Sequence, residues 1–213
     1  MEAMSQPPAV ATPQLVTTAQ ELTSLYGEVG RRAAGKVHGR LDRHDRDFVA
    51  HSPFLVLATA QAGGLLDVSP RGDRPGFVHV TDDGQLVLPD RPGNNRIDSL
   101  LNVLTDPRVS MIFLVPGVGH TLRINGTAVI STDPDLRELG AVDGRLPVTV
   151  LLVRAVEVLY QCQRALLRSR LWAPEGGPAD LASLDEVLAD QVPGLSLDQS
   201  LALGEAGSAK PLW

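Results

Sequence analysis

Phe54-Leu55-Val56-Leu57-Ala58-Thr59 is the stretch on which the reading of this chain turns. It is apolar and β-rich, and the turn Gly63-Gly64 closes it. Three more strand-like runs follow at short intervals: Leu65–Ser69, Gly76–Val80 and Gln85–Leu88. The turn Asp82-Asp83-Gly84 before the last run carries a hairpin signal, since Asp-Gly suits the left-handed backbone of a tight turn. No interval is long enough for a helical crossover, so the strands must run antiparallel. Three consecutive strands joined this way predict a meander.

The period changes after Pro92-Gly93. Ile97, Leu100, Leu101 and Leu104 recur at i, i+3, i+4 and i+7, one face of a helix. Asp106-Pro107 ends it. Arg108–Val115 and Thr121–Ile130 read as strands around the turn Pro116–Gly119, Asp133–Gly140 as a short helix, and Pro147–Tyr160 as a long strand that would close a barrel. Upstream, Met1–Pro13 is Pro-rich and reads as a flexible arm. Thr18 and Glu21 have capping-box spacing before Leu22 and Leu25. Gly30–Gly39 reads as a loop, and Leu41–His51 as a charged helix stopped by Ser52-Pro53. Downstream, Gln161–Trp172 and Ala179–Gln191 read as helical. The division expected is an arm (1–13), N-terminal helices (14–52), one α+β domain built on a small antiparallel β-barrel (53–172) and a helical extension (173–213).

The 213 residues are 43% hydrophobic and 21% charged, a globular composition large enough to need no staples. Aromatics are only 4%, so the core must be built from Leu, Val and Ala. A net charge of −6 is unlike the basic footprint of a nucleic-acid binder. The single cysteine, Cys162, rules out an internal disulfide and a cysteine zinc cage. No basic segment followed by an apolar run opens the chain, and no apolar run is long enough to cross a membrane, so a cytoplasmic, membrane-free protein is expected.

Two places suit an anion. In Arg91-Pro92-Gly93-Asn94-Asn95-Arg96, a strand gives way to a helix. Asn94 or Asn95 can serve as N-cap, with nearby backbone N–H groups left for a ligand. Arg96 is a cation at the unfavourable end of the helix dipole, where a bound phosphate would account for it; a solvated Arg beside an ordinary cap is the competing reading. The second place is Asp67-Val68-Ser69-Pro70-Arg71-Gly72-Asp73, where Arg71 ends a strand and Ser69 and Asp73 flank it. Taken alone, that loop reads better as a polar turn with an internal Arg–Asp pair. His44 and His51 lie two helical turns apart, too far to share one metal unaided. There is no HExxH, P-loop, Gly-x-Gly-x-x-Gly or Gly-x-Ser-x-Gly. With no acid–base pair or nucleophile in view, a cofactor carrying its own chemistry is favoured.

From Asp67 through Val78, then Leu86–Arg96, Asp106–Ser110 and Leu122–Gly126, the chain resembles the pyridoxamine 5'-phosphate oxidase-like superfamily of FMN-binding split barrels, and within it the oxidase-related group. The resemblance spans roughly residues 50–160. It implies an antiparallel split β-barrel with flanking helices, a homodimer with FMN at the interface, and an oxidoreductase acting on a small molecule. It further implies that Arg71 contacts the FMN phosphate, with Ser69 and Asp73 beside it. The backbone of Leu88, Pro89 and Asp90 would lie along the flavin ring, and Asn94, Asn95 and Arg96 would hold phosphate. The partner subunit would close the ring with the strand at His120, Thr121, Leu122 and Arg123. Arg168, Arg170 and Trp172 would cap flavin or an anionic substrate, or else belong to a helix packed on the barrel. The tail does not align with the Arg and Trp region by which the oxidase grips pyridoxal, so vitamin B6 is not implied as substrate. Two further readings keep the fold: deazaflavin, whose acidic tail calls for a more basic groove, or haem with His79 or His120 as axial ligand. A non-catalytic flavin carrier or sensor is the third.

Overall fold

Seven strands form one antiparallel sheet in the order β2-β1-β5-β6-β7-β4-β3, in a computed structural model that describes residues 14–173 and 182–208. The strands are β1 (Phe54–Ala60), β2 (Leu66–Gly72), β3 (His79–Val80), β4 (Leu86–Pro89), β5 (Arg108–Leu114), β6 (Thr121–Ser131) and β7 (Val150–Gln161). The ladder is open, with β2 at one edge and β3 at the other. This is the expected α+β, split antiparallel architecture. The expected meander is not formed. β2 pairs with β1, in the register Phe54↔Gly72 to Ala60↔Leu66, while β3 and β4 lie at the far end against β7. β3 shrinks to two residues because Arg74–Gly76 turns first, with Phe77 N donating to Arg74 O. Nor does β7 close the sheet; it runs between β6 and β4.

The core follows the two-residue period of the strands. Leu55 and Leu57 of β1, Met111 and Phe113 of β5, Leu122 and Ile124 of β6, and Val153 of β7 are all buried on one side. α3 (Arg43–His51) adds Phe48 and Val49, and α4 (Asp98–Thr105) adds Val103. The β6–β7 ladder carries an irregularity between Asn125 and Gly126, where a side chain would run into the Arg154 carbonyl. Glycine is therefore required there.

The chain divides into two units, Met1–Lys36 and Val37–Trp213. In the first, Thr18 and Glu21 form the expected capping box of α1 (Ala19–Tyr26), and the expected loop instead contains the short α2 (Arg31–Ala34). The arm at 1–13 lies outside the described residues. In the second unit follow α5 (Pro134–Leu139), α6 (Arg164–Ser169), α7 (Leu184–Gln191) and α8 (Leu197–Ser208). α6 stops short of Trp172 because Arg170 turns left-handed at its C-cap. No helix among the described residues is long and apolar enough to cross a membrane.

Candidate functional site

The alternation of β2 sets up the site. Leu66, Val68, Pro70 and Gly72 point outward, and Asp67, Ser69 and Arg71 share the half-buried face. That face meets α4. Ser99 Oγ donates to Asp67 Oδ2 at 2.6 Å, Ser69 Oγ lies 3.1 Å from Ser99 Oγ, and Thr59 Oγ1 donates to Asp67 Oδ2 at 3.3 Å. Asn102 Nδ2 completes the chain to Thr59 Oγ1 at 2.9 Å. Strand β2 is thus tied to the first two turns of α4, and Arg71 is left at the end of that face. Just beyond, Asp73 is taken up structurally. Its side chain is only 2% exposed and forms an ion pair with Arg91, Oδ2 to Nε 2.6 Å, although the N–H is not aligned as a hydrogen bond. Arg91 Nη1 also donates to the Gly140 carbonyl.

The β4–α4 junction differs from its expectation in one respect. Neither Asn94 nor Asn95 caps the helix. The N-cap is Ile97, which offers no side-chain acceptor. Asn94 Oδ1 accepts from Arg96 N, and Asn95 adopts φ 61°, a left-handed conformation that asparagine tolerates better than most residues. The turn thereby overshoots, and the first N–H groups of α4 have no side-chain cap. Such a helix end favours an anion. Arg96 is paired with Asp98 in the same turn at 2.8 Å, both exposed. An exposed pair of this kind is worth about 0–1 kcal/mol, so Arg96 exchanges partners easily.

These elements enclose a cleft of about 240 Å³. Arg71, Asp90, Arg91, Asn94, Asn95 and Arg96 form its polar side; Ile97, Leu100, Leu146 and Val148 form an apolar wall, with Arg145 at its rim. The two anion-binding stretches foreseen in the sequence therefore meet in one place. Burial pushes the Asp90 carboxyl above its ordinary range, against the opposing pull of the Arg71 guanidinium. The remaining expected positions lie elsewhere in this chain. Ser69 is turned to Ser99, and Asp73 to Arg91. Leu88, Pro89, Thr121 and Leu122 are buried, so only their backbones can meet a ligand. Arg123 pairs with Glu157 at 2.9 Å, and Trp172 Nε1 donates to the Val118 carbonyl at 2.9 Å. The Arg145–Val148 wall was not foreseen. Its signal was Asp143-Gly144, which forms a tight turn with φ 51° and 75°, bridged by Val142 and Arg145.

The histidines do not line this cleft. His120 packs against the rings of Phe48 and Tyr160, with centroids 5.3 and 5.5 Å away. Desolvation, then Arg91, lowers the basicity of His79. His38, Asp42 and Asp45 lie close together, but Asp42 and Asp45 are the capping box of α3. The positive end of that helix favours carboxylates and opposes a cation.

An open antiparallel sheet, with an anion-suited cleft where β4 passes into α4, defines the class of α+β split barrels. The family model for pyridoxamine 5'-phosphate oxidase matches residues 41–162, more than half of the chain, and the protein belongs to that family. Among solved structures, a putative pyridoxamine 5'-phosphate oxidase from Lactobacillus delbrueckii is 20% identical, with 56% of this chain and 93% of that one covered and a TM-score of 0.42. HupZ from Group A Streptococcus is 15% identical, with 55% and 91% covered and a TM-score of 0.45. HutZ, the heme storage protein of Vibrio cholerae, is 14% identical, with 58% and 94% covered and a TM-score of 0.38. No curated protein matches the chain.

Proposed function

We propose that this cleft holds the phosphate of FMN, and that the protein is a homodimeric FMN-dependent oxidoreductase of the oxidase-related group. The observation that carries the reading is the meeting of Arg71 with the uncapped N-terminus of α4 and Arg96 around one cleft. A phosphate dianion there takes charge from both guanidiniums and hydrogen bonds from backbone N–H groups that lack another acceptor. Bound flavin would supply hydride and electron transfer. The chain's own part is to hold and orient it. Asp67 and Ser99 fix β2 against α4, so that Arg71 and Arg96 keep their spacing. The wall of Ile97, Leu146 and Val148 offers apolar surface next to the polar end.

The dimer is part of the proposal. At about 240 Å³ the cleft falls below the roughly 300–1,000 Å³ of pockets that enclose a whole ligand, which fits the phosphate end of FMN with a second subunit needed over the ring. Leu66 and Val68, on the outward face of edge strand β2, are 80% and 65% exposed. They offer apolar surface to a second copy. Thr121–Arg123 and Trp172 would then act from the partner.

Purified protein is expected to be yellow, with flavin absorbance, and to elute as a dimer. Arg71→Ala with Arg96→Ala should abolish flavin retention without unfolding the protein. A colourless protein that takes up no added FMN would overturn the reading, and a Soret band would point to haem. Reduction of bound flavin by NADH or NADPH under anaerobic conditions separates an enzyme from a carrier.

A further inference from the structure

A second cleft, of about 450 Å³, lies between the start of α3, the β3–β4 turn and β7. Arg40, Arg46 and Arg154 line it, with Asp83, Gly84 and Gln85 along the turn. The chain as a whole is acidic, at −6, yet three guanidiniums gather here. The one lining carboxylate is engaged within its own turn: Asp83 accepts from Thr81 Oγ1 at 2.5 Å and from Gln85 Nε2 at 2.7 Å. Arg46 is preorganised. Its Nη1 donates to Thr81 O at 2.9 Å and its Nη2 to Asp82 O at 3.4 Å, and a Cβ at Gly84 would stand 3.5 Å from Nη2. Two carbonyls therefore hold the guanidinium in place without neutralising it, and N–H groups remain for a ligand. Among the described residues, the side chains of Arg40 and Arg154 have neither a carboxylate nor a hydrogen-bond partner.

We propose that this cleft is a second anion site, taking the phosphate group of a small phosphorylated molecule. One fixed and two exposed guanidiniums suit phosphate, which accepts several forked N–H bonds at once. The cleft is larger than a phosphate alone requires, so the group would arrive attached to a small molecule. Gly84 leaves the turn open on the side of Arg46, where a side chain would stand over the guanidinium.

The test uses the full chain carrying Arg71→Ala and Arg96→Ala, which disables the first cleft, with pyrophosphate as probe. Backbone amide shifts of Gly84 and Gln85 are followed by NMR, and affinity by calorimetry. Saturable movement of those amides is expected, and adding Arg40→Gln and Arg154→Gln should weaken it by about tenfold or more. Both positions are exposed, so thermal unfolding should not change. Amides of Gly84 and Gln85 that do not move, or an affinity unaltered by the two Gln substitutions, would overturn the site. A wild-type chain that retains no flavin but still shows the Gly84 response would defeat the first proposal and leave this one standing.

Discussion

Ser99→Ala isolates the contact that ties β2 to α4. Ser99 is 3% exposed and donates to a carboxylate, Asp67, at 2.6 Å. A hydrogen bond to a charged group contributes about 1.5–3 kcal/mol. Asp67 is only half-buried, so water replaces part of the lost donor and the lower end applies. Alanine is also the better helix former by a few tenths of a kcal/mol. The expected loss is therefore about 1–1.5 kcal/mol. For a chain of this size, roughly 2–4 °C of melting temperature accompanies each kcal/mol, which gives a drop of about 2–6 °C. Urea denaturation at constant slope measures it. Ser169→Ala is the control, since that hydroxyl bonds only its own helix at an exposed position and should change stability by less than about 0.5 kcal/mol. In a cycle with Asp67→Asn, the two substitutions should couple by about 0.5 kcal/mol or more. If Ser99→Ala proves as stable as Ser169→Ala, or adds independently to Asp67→Asn, the strand–helix tie carries no weight.

Other outcomes follow from single contacts. Arg91→Ala strands the buried Asp73 carboxylate and should cost about 3–5 kcal/mol, read by calorimetry, whereas Arg96→Ala, at an exposed pair, should cost under about 1 kcal/mol. Gly126→Ala drives a methyl into the Arg154 carbonyl and should lower stability by at least about 1–3 kcal/mol; a neutral result would mean that the β6–β7 irregularity relaxes freely. The Arg108 guanidinium holds Asp106 at about 2, below its unfolded value, so the stability it lends is present above the ordinary carboxylate range and is lost as pH falls through about 2. Arg108→Ala removes the guanidinium but keeps the backbone N–H bond to Asp106 Oδ1, so the Asp106 carboxyl should rise only part of the way toward its ordinary value of roughly 3.9 in a carboxyl-detected NMR titration. His79 titrates below its unfolded value, so its contribution is present above about 6.5 and falls away as the solution is acidified from there; His79→Gln should flatten that part of the stability–pH curve.

What the sequence made legible was local, and what it hid was long-range. The helix after Gly93 and the strand runs are legible from apolar period and each is present, although α4 buries Ser99, Asn102 and Val103 and leaves Ile97, Leu101 and Leu104 of the expected apolar face exposed. Strand order is not a local property. Leu65–Ser69 can pair with either neighbour by pattern alone, and it takes β1 because the two-glycine turn at Gly63-Gly64 closes that hairpin directly. The stretch Asp73–Val78 instead carries the chain away, beginning with the Asp73 N–H bond to the Pro53 carbonyl. The same distinction explains α8, whose segment has no strong apolar face, and the Arg145–Val148 wall, which reaches the cleft only through the folded turn at Asp143-Gly144.

The site shows most clearly how a short-range rule becomes a long-range geometry. Residues 71 and 96 are 25 apart, and each alone reads equally well as an ordinary surface arginine. The two-residue period of β2 puts Arg71 on the face that also carries Asp67 and Ser69. Those two find Ser99, in the first turn of the helix that Arg96 precedes. One hydrogen-bonded contact therefore brings both arginines to one cleft. It follows that shifting β2 by one residue against β1 would turn Arg71 outward and dismantle the cleft without touching a lining residue. Inserting a residue in the Gly63-Gly64 turn should leave flavin retention intact if the turn absorbs it, and abolish retention if β2 slips. In the second case hydrogen exchange would show β2 still paired.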